Sequence, residues 1–267
     1  TSPKNSTKII NKEKKDSSKK SSNLPDKGLI VLFNKPCKVG LENIGATCYM
    51  NATLQCLSNV EELTKYLLRP NNVQVVEKDQ RKYKLTHAYT EILKNLWSNN
   101  NFLTYYAPHY FKYTISKMNP LFEGINANDS KDLIIFMLET LHSEINSVKE
   151  ETPNDLPPNG KYDYNTTFTY FTDFFEKNYR SIISGIFYGM YNSMIGCANC
   201  GIISNNIQCY NILIFPLNEV RIFKQRDQNQ NFVNIIECFE YYERMTCFMG
   251  DNQIYCNNCE RMTNAFN

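Results

Sequence analysis

The sequence predicts an α+β fold, helical in its first half and built mainly of antiparallel strands in its second. From 28 to about 146 apolar residues recur at helical spacing, while from about 166 to 217 aromatic and β-branched residues crowd together. Two CxxC motifs fall in the strand-rich half, and "EETPNDLPPNGKYDYN" (150–165) reads as a loop between the halves.

With 267 residues, 42% of them hydrophobic, the chain can bury a core of one large or two ordinary domains. No run of about 18 apolar residues occurs and the first residues lack the apolar stretch of a secretory signal. The expectation is a soluble protein with no membrane partner, in an intracellular, reducing setting of cytoplasm or nucleus. The net charge of +2 is unevenly spread. Residues 1–27 carry eight Lys against Glu13, Asp16 and Asp26, a net of +5; the other 240 residues hold 21 basic and 24 acidic groups, a net of −3. A mildly acidic body suits a basic protein partner and argues against a nucleic-acid channel.

Residues 1–27 are rich in Lys, Ser and Asn with few large apolar side chains, so they cannot offset the entropy of ordering; a disordered tail is expected there. Such a tail is a solvated linker or a basic patch for nuclear import or an anionic surface. "LTHAYTEILKNLW" (85–97) puts Leu85, Ala88 or Tyr89, Ile92, Leu93 and Leu96 on one helical face. A further helix starts at "NDSKD", where Asp129 can cap and Asp132 can reach back as in a capping box. It continues through Leu133, Phe136, Met137 and Leu141; Ile134, Ile135 and Leu138 are apolar too, which predicts burial on most sides. After the loop a short helix is expected around 172–183, then antiparallel strands, with "QCYNILIFPL" (208–217) a strong strand candidate. The polar "KQRDQNQN" (224–231) separates these from an amphipathic helix at "NIIECFEYYERM".

Ten cysteines in a chain this long without an export signal point to metal ligation and catalysis more than to disulfides. Cys197 and Cys200, then Cys256 and Cys259, form two CxxC turns 55 residues apart. Each turn sets two sulfurs at the separation one tetrahedral ion needs, and two turns fill a structural zinc site (Zn2+) with no open position for catalysis. The ion would clip two hairpins of a larger domain by closing a long loop. Ordinary buried thiols or a redox pair are the alternatives, and neither accounts for the repeated spacing.

"GLENIGATCYMNATLQCL" (40–57) sets Cys48 where a loop gives way to an amphipathic run. Met50, Leu54 and Leu57 recur at spacings of four and three, and no Pro or Gly interrupts 46–69, which predicts a helix. A cysteine in the first helical turn feels the positive end of the macrodipole, which favours thiolate over thiol. Gly40 and Gly45 let the preceding loop bend, and Asn43 is placed to donate its amide to an oxyanion. Spacing alone leaves Cys48 open between nucleophile and core thiol.

The same stretch resembles, almost position by position, the cysteine box of the ubiquitin-specific proteases, deubiquitinases with a papain-like fold of thumb, palm and fingers. "FEGINANDSKDLIIFMLETLH" (122–142) resembles that family's thumb-helix segment QQDxxEFLxxLLxxLH; "FYGMYNSMIGCANCGIISN" and "MGDNQIYCNNC" resemble its zinc-bearing fingers. The resemblance spans about 29–265. It implies a helical thumb over 28–149, antiparallel β fingers with part of the palm over 166–267, Cys48 as nucleophile and Asn43 as oxyanion donor. It also implies that Asn128, Asp129 and Asp132 meet the basic tail of ubiquitin, although both Asp residues can also be read as helix caps. Asn128 stands where the family has Gln, and Leu133 where it has Phe.

A thiol protease needs a base, oriented by a third polar group. The histidines are His87, His109 and His142, and none sits in a sequence context that fits; His142 matches the LH ending the thumb motif. In the family the catalytic His follows the second CxxC in a box resembling GHYxxY, and here eight residues follow Cys259. With a first residue that is not Met, the expectation is an N-terminal portion of the protease with its palm incomplete, inactive alone, its His and Asp or Asn lying beyond residue 267. The expected protein is a monomeric thiol deubiquitinase acting on ubiquitin and ubiquitinated proteins. The alternative is an inactive ubiquitin-binding module; a zinc-dependent nucleic-acid module is disfavoured by the acidic body.

Overall fold

The computed structural model describes residues 38–98, 103–148, 164–224 and 232–267. The expected tail at 1–27 and most of the loops at 150–165 and 224–231 lie outside these residues. All described residues belong to one compact unit, Cys37–Asn267.

Among the described residues six α-helices precede the loop: α1 (Cys48–Ser58), α2 (Glu61–Leu67), α3 (Pro70–Lys78), α4 (Lys84–Leu96), α5 (His109–Met118) and α6 (Ser130–Ile145). Their apolar stripes make the core. Met50, Leu54 and Leu57 of α1 are buried, as are Leu85, Ala88, Tyr89, Ile92, Leu93 and Leu96 of α4, so both Ala88 and Tyr89 face inward. Helix α6 packs against α1 and α4 through Leu133, Met137, Leu138 and Leu141. Ile134 and Ile135 are half-buried rather than enclosed, although α6 also packs against the helix at Ile182–Phe187.

Capping differs in detail from the sequence expectation. Asp129 caps α6 by accepting from the Lys131 N–H at 2.8 Å, but Asp132 lies beside the Lys131 ammonium at 3.7 Å and closes no capping box. The start of α4 is capped from outside: the Glu144 carboxylate of α6 accepts from Leu85 N (2.9 Å), Thr86 N (2.8 Å) and Thr86 Oγ1 (2.7 Å). A helix N-terminus leaves such donors orphaned, and here a neighbouring helix satisfies them.

The short helix expected at 172–183 is two helices, α7 (Tyr164–Asn178) and α8 (Ile182–Phe187). Ser181 explains the break, since its hydroxyl and that of Ser184 form a reciprocal capping box that starts α8. Strands β3 (Gly189–Cys197) and β4 (Ile203–Tyr210) then pair antiparallel from Gly189↔Tyr210 to Gly196↔Ile203. The strand candidate at 208–217 stops at Tyr210, because β3 begins at Gly189 and offers no partner further on; Ile214 is 68% exposed and Pro216 leads into α9 (Leu217–Phe223). Helix α10 (Ile235–Tyr242) follows, where the amphipathic run predicted one.

The remaining strands are short. β5 (Cys247–Phe248) and β8 (Ala265–Phe266) extend a four-stranded antiparallel sheet of order β4-β3-β8-β5, while β6 (Ile254–Cys256) and β7 (Arg261–Thr263) form a separate hairpin. Near the start, β1 (Gly40–Leu41) pairs parallel with β2 (Tyr105–Tyr106). No helix among the described residues is long and apolar enough to cross a membrane.

Candidate active site

The residues before α1 form a loop locked by its own side chains. Asn43 Oδ1 accepts from the Thr47 N–H at 3.0 Å and from the Thr47 hydroxyl at 2.9 Å, and Thr47 Oγ1 accepts from Ile44 N at 3.2 Å. The Thr47 hydroxyl is thus engaged by the loop and gives α1 no side-chain cap. Because a backbone N–H pairs only with an acceptor, the Asn43 amide has its oxygen toward Thr47 and its NH2 turned outward. Cys48 opens α1 immediately after, and both Cys48 and Asn43 are exposed. Gly45, at φ 141°, supplies the bend between them, in a region L side chains rarely adopt. The open thiol at a helix start argues against the core-thiol reading, whose residue would be enclosed as Met50 is.

Tyr49, next in sequence, joins this site to α6. Its hydroxyl accepts from Asn128 Nδ2 at 3.2 Å and its carbonyl from Ser130 Oγ at 3.4 Å. Asn128, exposed Asp129 and half-buried Asp132 therefore stand at the α6 start, beside the first turn of α1. Sequence reasoning missed two residues here: Asn51 Nδ2 donates to Leu41 O (3.2 Å) and Glu42 O (2.9 Å), and Gln55 Nε2 to Val39 O (3.2 Å). The available signal was an Asn and a Gln four apart, one helical face of amides on an otherwise apolar helix.

The histidines serve elsewhere. His142 lies twelve residues along α6, about 18 Å from its start at 1.5 Å per residue, where Nδ1 pairs with Ser181 Oγ at 2.7 Å and the ring stacks on Tyr179. His87 Nδ1 meets the Tyr110 hydroxyl at 3.0 Å, and His109 begins α5, exposed.

The two CxxC turns converge. Cys197, Cys200, Cys256 and Cys259 bring their sulfurs within 4.8 Å of one another, with Cys197–Cys259 at 3.9 Å and Cys200–Cys256 at 3.7 Å. Tetrahedral zinc with Zn–S of about 2.3 Å sets sulfurs about 3.8 Å apart, so these residues fit a four-thiolate ion. Each turn ends in a left-handed residue, Gly201 at φ 71° and Glu260 at φ 53°. Asn199 donates through its N–H to the Cys197 sulfur (3.4 Å) and through its amide to that of Cys259 (3.2 Å). The Thr263 hydroxyl, then backbone N–H groups, hold the Cys197 thiol down to about 6. Cys259 is pulled down by the Asn199 amide, but burial and the neighbouring thiols outweigh this and push it up to about 11. Crowded sulfurs that cannot all ionise together are the donor set a cation would neutralise.

Residues 39–260 match the family model described as ubiquitin carboxyl-terminal hydrolase. The chain belongs to that family. It is similar to ubiquitin carboxyl-terminal hydrolase 4 of Mus musculus, 33% identical over 198 residues covering 71% of this chain and 20% of the relative. Human ubiquitin carboxyl-terminal hydrolase 32 is 31% identical over 182 residues, 67% of this chain and 11% of the relative. The hydrolase-family chain thus spans about a fifth or less of these relatives. Among solved structures it resembles the SAGA Ubp8/Sgf11/Sus1/Sgf73 DUB module bound to ubiquitin aldehyde, with a TM-score of 0.54 and 18% identity over 85% of this chain and 43% of that one. That likeness supports the mixed helix and sheet fold of this family member. The family is one of cysteine deubiquitinases.

Proposed function

We propose that this chain carries the thiol half of a deubiquitinase site, with Cys48 as nucleophile and Asn43 as oxyanion donor. The observation that carries the reading is the clamp on Asn43 Oδ1 by Thr47, the residue before an exposed cysteine at a helix start, which turns the Asn43 NH2 outward. The substrate is the isopeptide bond after the C-terminal glycine of ubiquitin on a ubiquitinated protein. The Cys48 sulfur bonds to the carbonyl carbon, the C=O pair moves to oxygen, and Asn43 Nδ2 donates to that oxygen. The lysine amine leaves once an acid protonates it, and water then releases ubiquitin from the thioester. Asn128, Asp129 and Asp132 offer an amide and two carboxylates to the basic tail of ubiquitin.

None of His87, His109 and His142 is held at this thiol, so proton transfer needs a group these three do not supply. The four cysteines hold structural zinc, clipping β3–β4 to β6–β7. The protein works as a monomer inside the cell, in cytoplasm or nucleus, without nucleic acid. The same histidine placement favours a second reading, a relative that grips ubiquitin without cutting it.

The test is to present the 267-residue chain with ubiquitin bearing a C-terminal fluorophore and with ubiquitin bearing a C-terminal electrophile. The expected outcome is little turnover but covalent capture that Cys48→Ala abolishes. Robust turnover lost in Cys48→Ala would overturn the statement about the base. Ubiquitin binding without any capture would favour the non-cutting relative.

A further inference from the structure

Both flanks of Asn43 are tied to a single residue one helical turn below Cys48. Ahead of Asn43, the carbonyls of Leu41 and Glu42 accept from Asn51 Nδ2 at 3.2 and 2.9 Å; behind it, the Thr47 carbonyl accepts from the Asn51 backbone N–H at 2.9 Å. The N–H groups of the same segment face the other way, Gly40 N to Thr104 O and Glu42 N to Tyr106 O, both 2.9 Å. The strand leading to Asn43 is thus held between β2 on one side and the amides of α1 on the other, with Gln55 adding a second rung to Val39 O at 3.2 Å.

We propose that Asn51 is a positioning residue for Asn43: it fixes the loop on which Asn43 rides against the helix on which Cys48 rides, and so sets the distance between donor and nucleophile. The proposal rests on the roles given above to Cys48 and Asn43. Fold stability alone does not account for an asparagine here. Its Oδ1 is buried and has no hydrogen-bond partner among the described residues, a state that costs stability and that an apolar side chain would avoid. The two donations remain as its contribution, and both go to the Asn43 loop. Gly45 at φ 141° leaves that loop a pivot between Asn43 and Thr47, so without the Asn51 anchor only the Thr47 clamp on its amide oxygen holds the donor relative to the thiol.

The reagent that isolates this is ubiquitin aldehyde, whose carbonyl carbon the Cys48 sulfur attacks without any leaving group. The S–C bond forms, the C=O pair moves to oxygen, and the thiol proton ends on that oxygen; no oxidant and no departing amine are involved. Binding of the aldehyde relative to unmodified ubiquitin therefore reads adduct formation at Cys48, with the hydrogen bond that Asn43 gives the adduct oxygen, separately from recognition. Expected for Asn51→Leu is a loss of at least about tenfold in aldehyde affinity, against the roughly 10²- to 10³-fold that removal of a whole oxyanion donor costs. Affinity for unmodified ubiquitin stays within about twofold, and Asn51→Leu adds nothing in an Asn43→Ala background, since residues acting through one contact are non-additive. Should Asn51→Leu not fold, Gln55→Met reads the same quantities on the second rung. Wild-type aldehyde affinity in the folded variant, parallel loss of aldehyde and ubiquitin binding, or full additivity with Asn43→Ala overturns the positioning role. A wild-type chain that binds the aldehyde no more tightly than ubiquitin overturns the Cys48–Asn43 reading itself, and the positioning role with it.

Discussion

The side-chain amide of Asn128 donates to the hydroxyl of Tyr49 at 3.2 Å, tying the residue that precedes the α6 cap to the residue that follows Cys48. The ring of Tyr49 stacks with Phe122 at 6.4 Å and is 5% exposed, so burial fixes the hydroxyl that orients Asn128. Under the proposed function, one side chain would then couple recognition of a substrate tail at α6 to attack by Cys48.

Tyr49→Phe keeps the ring and removes the acceptor. A lost hydrogen bond of this kind costs about 0.5–1.5 kcal/mol, so the urea midpoint falls modestly. Ubiquitin affinity measured by calorimetry should fall further, because Asn128 loses its orientation. An unchanged midpoint with unchanged affinity would show that this contact has no role.

Glu144 joins the end of α6 to the start of α4 through three accepted hydrogen bonds. Glu144→Ala leaves the Leu85 and Thr86 N–H groups without their acceptor, which costs about 1–3 kcal/mol. Glu144→Gln retains one oxygen and should recover part of this. Equal denaturant midpoints for the Ala and Gln variants would contradict the capping role.

The helical half was legible because Leu85, Ala88, Ile92, Leu93 and Leu96 repeat at a period only a helix satisfies, and the metal cluster because two identical CxxC turns can share one ion. What the sequence hid were contacts without a period. Glu144 caps a helix 58 residues away, and Asn51 holds a loop; nothing local distinguishes either from a surface polar residue. The strand at 208–217 was over-read for a similar reason, since "ILIFP" has strand composition and a strand also needs a partner, which β3 does not provide past Gly189. At the candidate active site the bend at Gly45 and the helix start at Cys48 were readable, but not the bond from Thr47 that fixes which way the Asn43 amide faces.

Zinc uptake should depend on pH in a definite direction. Cys197 is held down to about 6, chiefly by the Thr263 hydroxyl, so its thiolate persists at neutral pH and the benefit is lost as pH falls through about 6. Cys259, up at about 11, is still a thiol at neutral pH and must release its proton on metal binding. Calorimetric titration of zinc into the metal-free protein in buffers of different ionisation enthalpy should show proton release and weaker binding towards pH 6. One zinc per chain is expected, lost in Cys256→Ser. Unchanged zinc content in that variant would remove the clip.

His142 is expected to matter for stability and not for the thiol. Its Nδ1 pairs with Ser181 Oγ at 2.7 Å, the residue that caps α8. His142→Ala should lower stability by about 1–3 kcal/mol while leaving the rate of Cys48 alkylation by iodoacetamide unchanged across pH. A shifted pH profile of alkylation would instead assign His142 a role at the thiol.

The two CxxC turns close with the same backbone and different residues. Gly201 takes φ 71° without strain, whereas Glu260 takes φ 53° with a side chain, the only non-glycine residue at positive φ among those described. A left-handed L residue costs roughly 1–2 kcal/mol, and glycine's added freedom in the unfolded chain returns about 0.5–1 kcal/mol of that. Glu260 is exposed, so backbone strain dominates the effect of replacing it. Glu260→Gly should therefore stabilise the zinc-loaded protein by about 0.5–1 kcal/mol, while Gly201→Ala, where a Cβ would meet nothing within 4 Å, should destabilise it by about the same amount. Thermal melts of both variants with zinc present decide the matter: a lower Tm for Glu260→Gly would mean that the Glu260 side chain holds the turn through a contact stronger than its strain.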